Sequence, residues 1–324
     1  MGVVMAGAEA RTRVVVVMNP RSGGGSPARF DLANRVEGMG ARVWSTSVDD
    51  DAASLARLAV REGAEVLGVA GGDGTISAVA AVAADTDRPL LVLPAGTRNH
   101  FARDLGLDIR NPVSSLSALI DGVPTRVDLG LVGSRVFINN VSFGLYADAL
   151  LEPGYREDKV RALASVTPDY LVGRQWVEAD VDTPRGAVHF PQVVLVSNNP
   201  YHIATPRYLG RRFTLTSGLL GAIVLKRPTD TPPDLLRHLR SELLRQQPGP
   251  GKAGDAASAW RAASITLRGR GRQLDAGIDG EAVTLPLPVT CETWPGGLQV
   301  LLPRDRPGIP SEPVLGLQRP PRGP

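Results

Sequence analysis

The sequence predicts an α/β protein in two domains: a parallel sheet with helices, followed by a mostly antiparallel β domain. Three observations predict it. Up to about Leu107, short β-branched runs alternate with segments of helical period, which is the grammar of strand–helix units on a parallel sheet. Glycine-rich turns follow three of those strands. From Thr125 onward the segments become short, often alternate, and are bounded by Gly, Pro, Asn or Asp, as antiparallel strands are. A length of 324 residues suits two domains, at roughly 100–200 residues each.

Arg13 opens a run of four valines and a methionine that stops at Asn19-Pro20, read as a buried parallel strand. The turn RSGGGSP follows. Phe30, Leu32, Ala33, Val36 and Met39 then recur at near-helical intervals, predicting a helix from Ala28 to about Met39. ARVWSTSV is a second strand, leading into an alanine- and leucine-rich helix over Ala52 to Glu62. AEVLGVA is a third strand; it runs into GGDGT and a helix from Ile76 to Ala84. A fourth strand, Leu90 to Leu93, enters a loop at Pro94 to Asn99.

The β domain is read from TRVDLGLV, SRVFINNVSFGL, WVEADVD, AVHFPQVVLVSNN, FTLTSGLLGAIVL, SITLRG, LDAGIDG and LQVLLP. One helix is expected at Pro233 to Gln247, with a leucine stripe toward the core. Residues 248–258 read as a flexible loop. The domains are therefore drawn as 11–124, a Rossmann-like parallel-sheet unit; 125–302, β-sandwich-like; and 303–324, a tail with seven prolines and little to bury.

Composition removes several classes. No apolar run approaches the roughly 20 residues that span a bilayer, and the N-terminal charges follow a short apolar stretch, the reverse of a secretory signal. The single cysteine, Cys291, excludes an intramolecular disulfide or a multi-cysteine metal site and suits a reducing compartment. Net charge is +3, and the only lysines are Lys159, Lys226 and Lys252. The many arginines are scattered and no aromatic stacking pattern accompanies them, so nucleic acid is not the expected partner.

Three glycine loops, Asn19 to Gly25, Gly71 to Thr75 and Pro94 to Asn99, follow strands of one expected sheet. In an open parallel sheet such loops gather at the carboxyl ends, where ligands bind. Glycine lets backbone N–H groups approach phosphate oxygens, and Ser22, Thr75 and Thr97 add hydroxyls. Asp73 stands among those amides, where it would repel phosphate unless a cation such as magnesium intervenes; its other reading is a helix N-cap. No P-loop lysine follows these loops. Far along the chain, Asp279 and Glu281 flank one glycine in IDGE, a spacing that sets two carboxylates on a tight turn or simply marks a hairpin.

NPRSGGGS at 19–26, GGDGT at 71–75, PAGTRNHFARDLGL at 94–107 and DGE at 279–281 together resemble the diacylglycerol kinase catalytic-domain family, bacterial lipid kinases related to sphingosine and ceramide kinases. GGDGT alone is shared with NAD kinases and 6-phosphofructokinases; the set of four is more specific. The resemblance implies the two-domain fold common to NAD kinases and diacylglycerol kinases, with ATP and Mg2+ as cofactors. It implies that Asn19, Ser22, Gly23, Thr46, Gly71, Gly72, Asp73, Gly74, Thr75, Thr97 and Asn99 hold the nucleotide. Asp73 then organises the magnesium, and Glu281, supported by Asp279, accepts the proton. The chain departs where related enzymes carry an acid for a structural magnesium: here Leu215-Thr216-Ser217-Gly218 has none. No structural magnesium is expected near Ser217, and the domains must be held another way.

The resulting expectation is an ATP- and magnesium-dependent kinase of a lipid alcohol, with diacylglycerol leading, located in the cytoplasm and touching the inner membrane surface transiently. An edge strand of the β domain offers a surface for a homodimer, though no residue demands one. The alternatives are an NAD kinase-like enzyme and a catalytically silent nucleotide- or lipid-binding regulatory paralogue.

Overall fold

The computed structural model describes residues 13–47, 49–152, 175–202, 210–226 and 257–306. Its first strand, β1 (Val14–Met18), is buried along its whole length, as an apolar run covered on both faces must be. The helix expected from Ala28 to Met39 is instead two, α1 (Ser26–Arg29) and α2 (Leu32–Gly38), broken where Asp31 takes φ 51°. Aspartate tolerates that left-handed geometry because its short side chain bonds locally; here it accepts from Asn34 Nδ2 at 2.7 Å. Next come β2 (Arg42–Ser45), α3 (Ala52–Arg61), β3 (Val66–Gly71), α4 (Asp73–Asp85) and β4 (Leu90–Pro94). The four strands pair in parallel in the order β2-β1-β3-β4.

α2 packs Leu32 and Val36 with Val14, Val16 and Met18 on one face of this sheet. On the other face Ala56 and Ala59 of α3, with Ile76, Val79 and Ala80 of α4, pack with Val15 and Val17. β1 and β3 therefore send their helices to opposite faces, which opens a crevice between their carboxyl ends.

After α5 (His100–Asp104) and α6 (Ala118–Asp121) the chain becomes β-rich: β5 (Val123–Val132), β6 (Arg135–Phe137), β7 (Asn140–Gly144), α7 (Leu145–Leu151), β8 (Asp180–Thr183), β9 (Gly186–Val188), β10 (Val193–Asn198) and β11 (Leu220–Leu225). It ends with β12 (Ala257–Ala262), β13 (Ser264–Arg268), β14 (Gln273–Ile278), β15 (Glu281–Pro286) and β16 (Val289–Leu302). Six of these strands form an antiparallel sheet in the order β12-β11-β10-β7-β14-β15. Its inner face, with Val141, Phe143, Val194 and Val224, packs on Val181, Ile265, Leu267 and Cys291 of the other sheet. The second core is thus that of a sandwich.

β16 joins the two halves. Its first part is antiparallel to β13, and along its length it is antiparallel to β5, with a register shift between Trp294 and Leu298. Near its end, Val300 and Leu301 pair in parallel with Leu90 and Leu91 of β4. One ten-stranded sheet consequently runs from the parallel half into the sandwich. Of the loop expected over 248–258, residues 248–256 lie outside the described residues, while Ala257 and Ser258 belong to β12; that strand has little apolar alternation of its own and is held by its pairing with β11. The helix expected at 233–247, and the tail from 307, lie outside the described residues.

Candidate active site

The three glycine loops meet at the carboxyl ends of β1, β3 and β4. Gly23 has φ 56°, and a Cβ there would lie 2.4 Å from the Ala95 carbonyl oxygen. At Gly96 a Cβ would lie 2.3 Å from Gly72 Cα. Both positions accept only glycine without backbone movement, and the space they leave suits phosphate oxygens approached by main-chain N–H groups. Polar contacts tie the rim together: Gly72 N donates to Ser22 Oγ at 3.3 Å, Asn19 Nδ2 to Thr75 Oγ1 at 3.5 Å, and Ala95 N to the Gly71 carbonyl at 3.0 Å. Thr46 N donates to the Met18 carbonyl at 2.8 Å, which brings the end of β2 beside the first loop.

Asn99 and Thr97 differ in what they offer. Asn99, at φ 53° and 2% exposed, closes its own loop: its Oδ1 accepts from Gly96 N at 2.9 Å and its Nδ2 donates to the Gly96 carbonyl at 2.8 Å. Its side chain shapes the loop from beneath, while Thr97 is exposed at the surface.

Asp73 is the first residue of α4, with Gly72 as the N-cap, so the acid sits in the first turn, where the helix dipole favours negative charge. Its Oδ1 accepts from Phe101 N at 3.4 Å, and the residue stays partly exposed. Among the described residues no group of three or more His, Cys, Asp or Glu side chains is assembled to hold a metal ion. Asp73 at the phosphate rim suits a cation that takes its remaining ligands from phosphate and water.

The DGE turn reaches the same rim from the other half. Asp279 (φ 49°) and Gly280 (φ 89°) form the two-residue connection between β14 and β15, with Ile278 opposite Glu281. Positive φ at both positions is the geometry that matches the twist of a tight hairpin. Glu281 is exposed, and its Oε1 lies 4.0 Å from the position of a Cβ on Gly74. A residue 207 positions further along the chain is thereby set beside the first turn of α4.

Asp279 is engaged differently. Its Oδ2 accepts from Ser77 Oγ at 2.6 Å and Ile138 N at 2.8 Å; its Oδ1 accepts from Asn139 N at 2.8 Å and Asn140 N at 3.0 Å. Burial pushes this carboxyl above its ordinary value, against the lowering effect of those hydrogen bonds. The carboxylate fastens the hairpin to α4 and to the β6–β7 turn, which leaves Glu281 as the acid of the pair that faces the rim.

Sequence reasoning did not find Asp128, Asn199 or Arg212. Asp128, 3% exposed, accepts from Gly218 N at 2.7 Å and Gly296 N at 2.9 Å, and its own N–H donates to the Leu215 carbonyl at 2.7 Å. Ser217 donates to Asn199 Oδ1 from both its N–H (2.9 Å) and its hydroxyl (2.6 Å). These bonds tie the acid-free segment Leu215–Gly218 to the rest of the β half. The available signal was an acid between Val127 and Leu129 in an apolar strand, which demands a buried partner. Phe143 is fully buried in the sandwich core, whereas Leu151 is exposed.

The crevice at the carboxyl ends of β1 and β3, the glycine-lined cradle and the facing carboxylate of Glu281 thus lie together in an α/β protein whose parallel half adjoins a β-sandwich half. Residues 13–132 match the family model described as the diacylglycerol kinase catalytic domain. The chain is 36% identical over 124 residues to a diacylglycerol kinase of Mycobacterium tuberculosis, covering 37% of this chain and 40% of that protein. It is 35% identical over 140 residues to a diacylglycerol kinase of Staphylococcus saprophyticus, covering 41% and 46%. These alignments span less than half the length of either relative. A crystal structure of a diacylglycerol kinase from Bacillus anthracis superposes with a TM-score of 0.62 at 16% identity, covering 90% of this chain and 97% of that one. The fold is that of this solved structure, and the resemblance to the diacylglycerol kinase catalytic-domain family holds over residues 13–132.

Proposed function

We propose that the chain is an ATP- and magnesium-dependent lipid kinase that transfers the γ-phosphoryl group to a lipid hydroxyl, with diacylglycerol as the leading acceptor and phosphatidic acid as the product. The observation that carries this reading is the approach of Glu281 to Gly74, beside Asp73 and the glycine cradle. Phosphoryl transfer to an alcohol needs positioned phosphates, neutralised charge and a carboxylate for the hydroxyl proton. In this chain the loops at Gly23, Gly72 and Gly96 orient the phosphates, residues 11–124 serving as the nucleotide unit. Residues 125–302 carry the acceptor side. Glu281 takes the proton as the acceptor oxygen bonds to the γ-phosphorus and the bridging oxygen departs with ADP. Magnesium, when bound, neutralises phosphate charge, and Asp73 is the residue that would hold it.

Among the described residues no helix is long and apolar enough to cross a membrane. The lipid would then be met at the inner membrane surface, with exposed apolar side chains such as Leu151 and Phe190 available for shallow contact. The test is transfer of label from Mg-ATP to detergent-dispersed diacylglycerol by the wild type and by Glu281→Gln, with NAD as a control acceptor. Labelled lipid with the wild type, lost in the variant, supports the reading. Label on NAD, or no transfer to any acceptor despite ATP binding, overturns it.

A further inference from the structure

Among the described residues Arg212 is the largest fully buried side chain, 1% exposed. Removing a guanidinium from water costs several kcal/mol even after relaxation, and an apolar residue of similar volume is often as good for stability. Its burial asks for a geometric role, and its partners supply one. Nε pairs with Asp104 Oδ2 at 2.7 Å, and that carboxylate is itself 1% exposed. Nη1 donates to the carbonyls of Ile138 at 2.6 Å and Asn198 at 2.9 Å, and Nη2 donates to Asn139 Oδ1 at 2.8 Å. The planar fork thus joins the end of α5, the β6–β7 turn and the end of β10, directions that a single ammonium could not satisfy together.

Both ends of this clamp lead to the candidate active site. On one side, α5 carries Asp104 at its end, and in its first turn Phe101 N donates to Asp73 Oδ1. On the other, Ile138 and Asn139 use their carbonyl and side-chain oxygens for Arg212, while their N–H groups hold the carboxylate of Asp279. Glu281 follows two residues later. A closed circuit therefore runs from Asp73 through α5, Asp104, Arg212 and the β6–β7 turn to Asp279 and Glu281.

We propose that Arg212, paired with Asp104, is a positioning residue that sets the separation of the nucleotide rim and the Glu281 turn. This rests on the kinase reading above for its kinetic consequence, though not for its structural one. Loss of the clamp leaves the glycine cradle intact and loosens the carboxylate side, so turnover falls while ATP affinity holds.

The experiment compares the wild type with Arg212→Met, Arg212→Lys and Asp104→Asn in the full chain. The readouts are thermal midpoint, hydrogen exchange at the 138–140 amides, kcat for lipid phosphorylation and KM for Mg-ATP. In folded variants, kcat is expected to fall at least 10-fold with KM for ATP within about 3-fold, a loss that misplacement by about 1 Å is able to cause. The 138–140 amides should exchange faster, and Arg212→Lys should recover part of both effects. Arg212→Lys and Asp104→Asn keep the test alive if Arg212→Met does not fold. Unchanged kcat and unchanged amide protection in any folded variant overturn the proposal. So does a kcat loss matched by an equal loss of folded protein. If the wild type phosphorylates no acceptor, the kinase reading fails by itself, and amide protection still decides whether the clamp exists.

Discussion

At the glycine-loop rim, proposed as the nucleotide side, Gly23 and Gly96 shape the loops by having no side chain, so that main chain meets main chain. At the Asp279-Gly280 turn, four donors converge on one carboxylate. The first region is built from close main-chain approach between separate loops, and the second from hydrogen bonds that converge on one side chain. A phosphate needs many weak donors in a concave surface, which consecutive amides provide. A proton acceptor needs one oxygen at a defined distance, which only a rigidly held turn provides.

Glu281→Gln gives the largest expected effect on the acceptor side: a fall in kcat of about 10²- to 10⁴-fold, the usual weight of a general base. ATP binding by isothermal titration should stay near the wild-type value, and a parallel loss of ATP binding would erase the distinction between the two regions. Asp279→Ala acts on stability instead. It strands the N–H groups of Ile138, Asn139 and Asn140, at a cost of about 3 kcal/mol or more in urea unfolding, and a neutral result would mean that the turn is held by something else.

The nucleotide side is sharpened by two glycines. Gly96→Ala places a Cβ 2.3 Å from Gly72 Cα, whereas Gly24→Ala, at φ 65°, meets nothing within 4 Å. Gly96→Ala should weaken ATP binding by 10-fold or more, because the two loops must part. Gly24→Ala should cost only about 1 kcal/mol of stability, from the left-handed backbone alone. Equal effects on ATP affinity would show that loop contact does not build the cradle.

The smallest effect concerns acid. Burial lowers the His100 pKa below its usual 6.5 by more than the neighbouring Asp73 charge raises it. As pH falls, the unfolded chain binds this proton first, so the stability in question is present above pH 6.5 and is lost as pH drops through the folded value. The decline in thermal midpoint from about pH 7.5 to about pH 5.5 should therefore be shallower in His100→Gln. A steeper decline would reverse the assignment.

Much of the parallel half was legible because each of its signals is local. The valine run of β1, the Gly71 turn and the alanine- and leucine-rich run of α3 each lie within one stretch of chain, and glycine positions announce backbone contact before the contact is known. The break at Asp31 was missed because apolar spacing continues across it while the backbone does not. In the β half, β12 escaped notice because Ala257 to Ala262 become a strand by pairing with β11 and not by their own pattern. The DGE motif was visible, and the resemblance already gave Glu281 and Asp279 unequal duties, but the four donors that fasten Asp279 were not legible.

The sequence by itself determined the alternation of strands and helices in the first half, the glycine loops, and the presence of acids at 73, 279 and 281, since composition and spacing are properties of neighbouring residues. Only the tertiary structure decided that Asp279 is fastened while Glu281 faces Gly74, that Asp128 pins the acid-free segment at Ser217, and that β16 returns to pair with β4. The reason is physical: a buried carboxylate or guanidinium must find its donors and acceptors wherever the fold brings them, and those partners stand 139 and 108 residues away for Asp279–Asn140 and Arg212–Asp104.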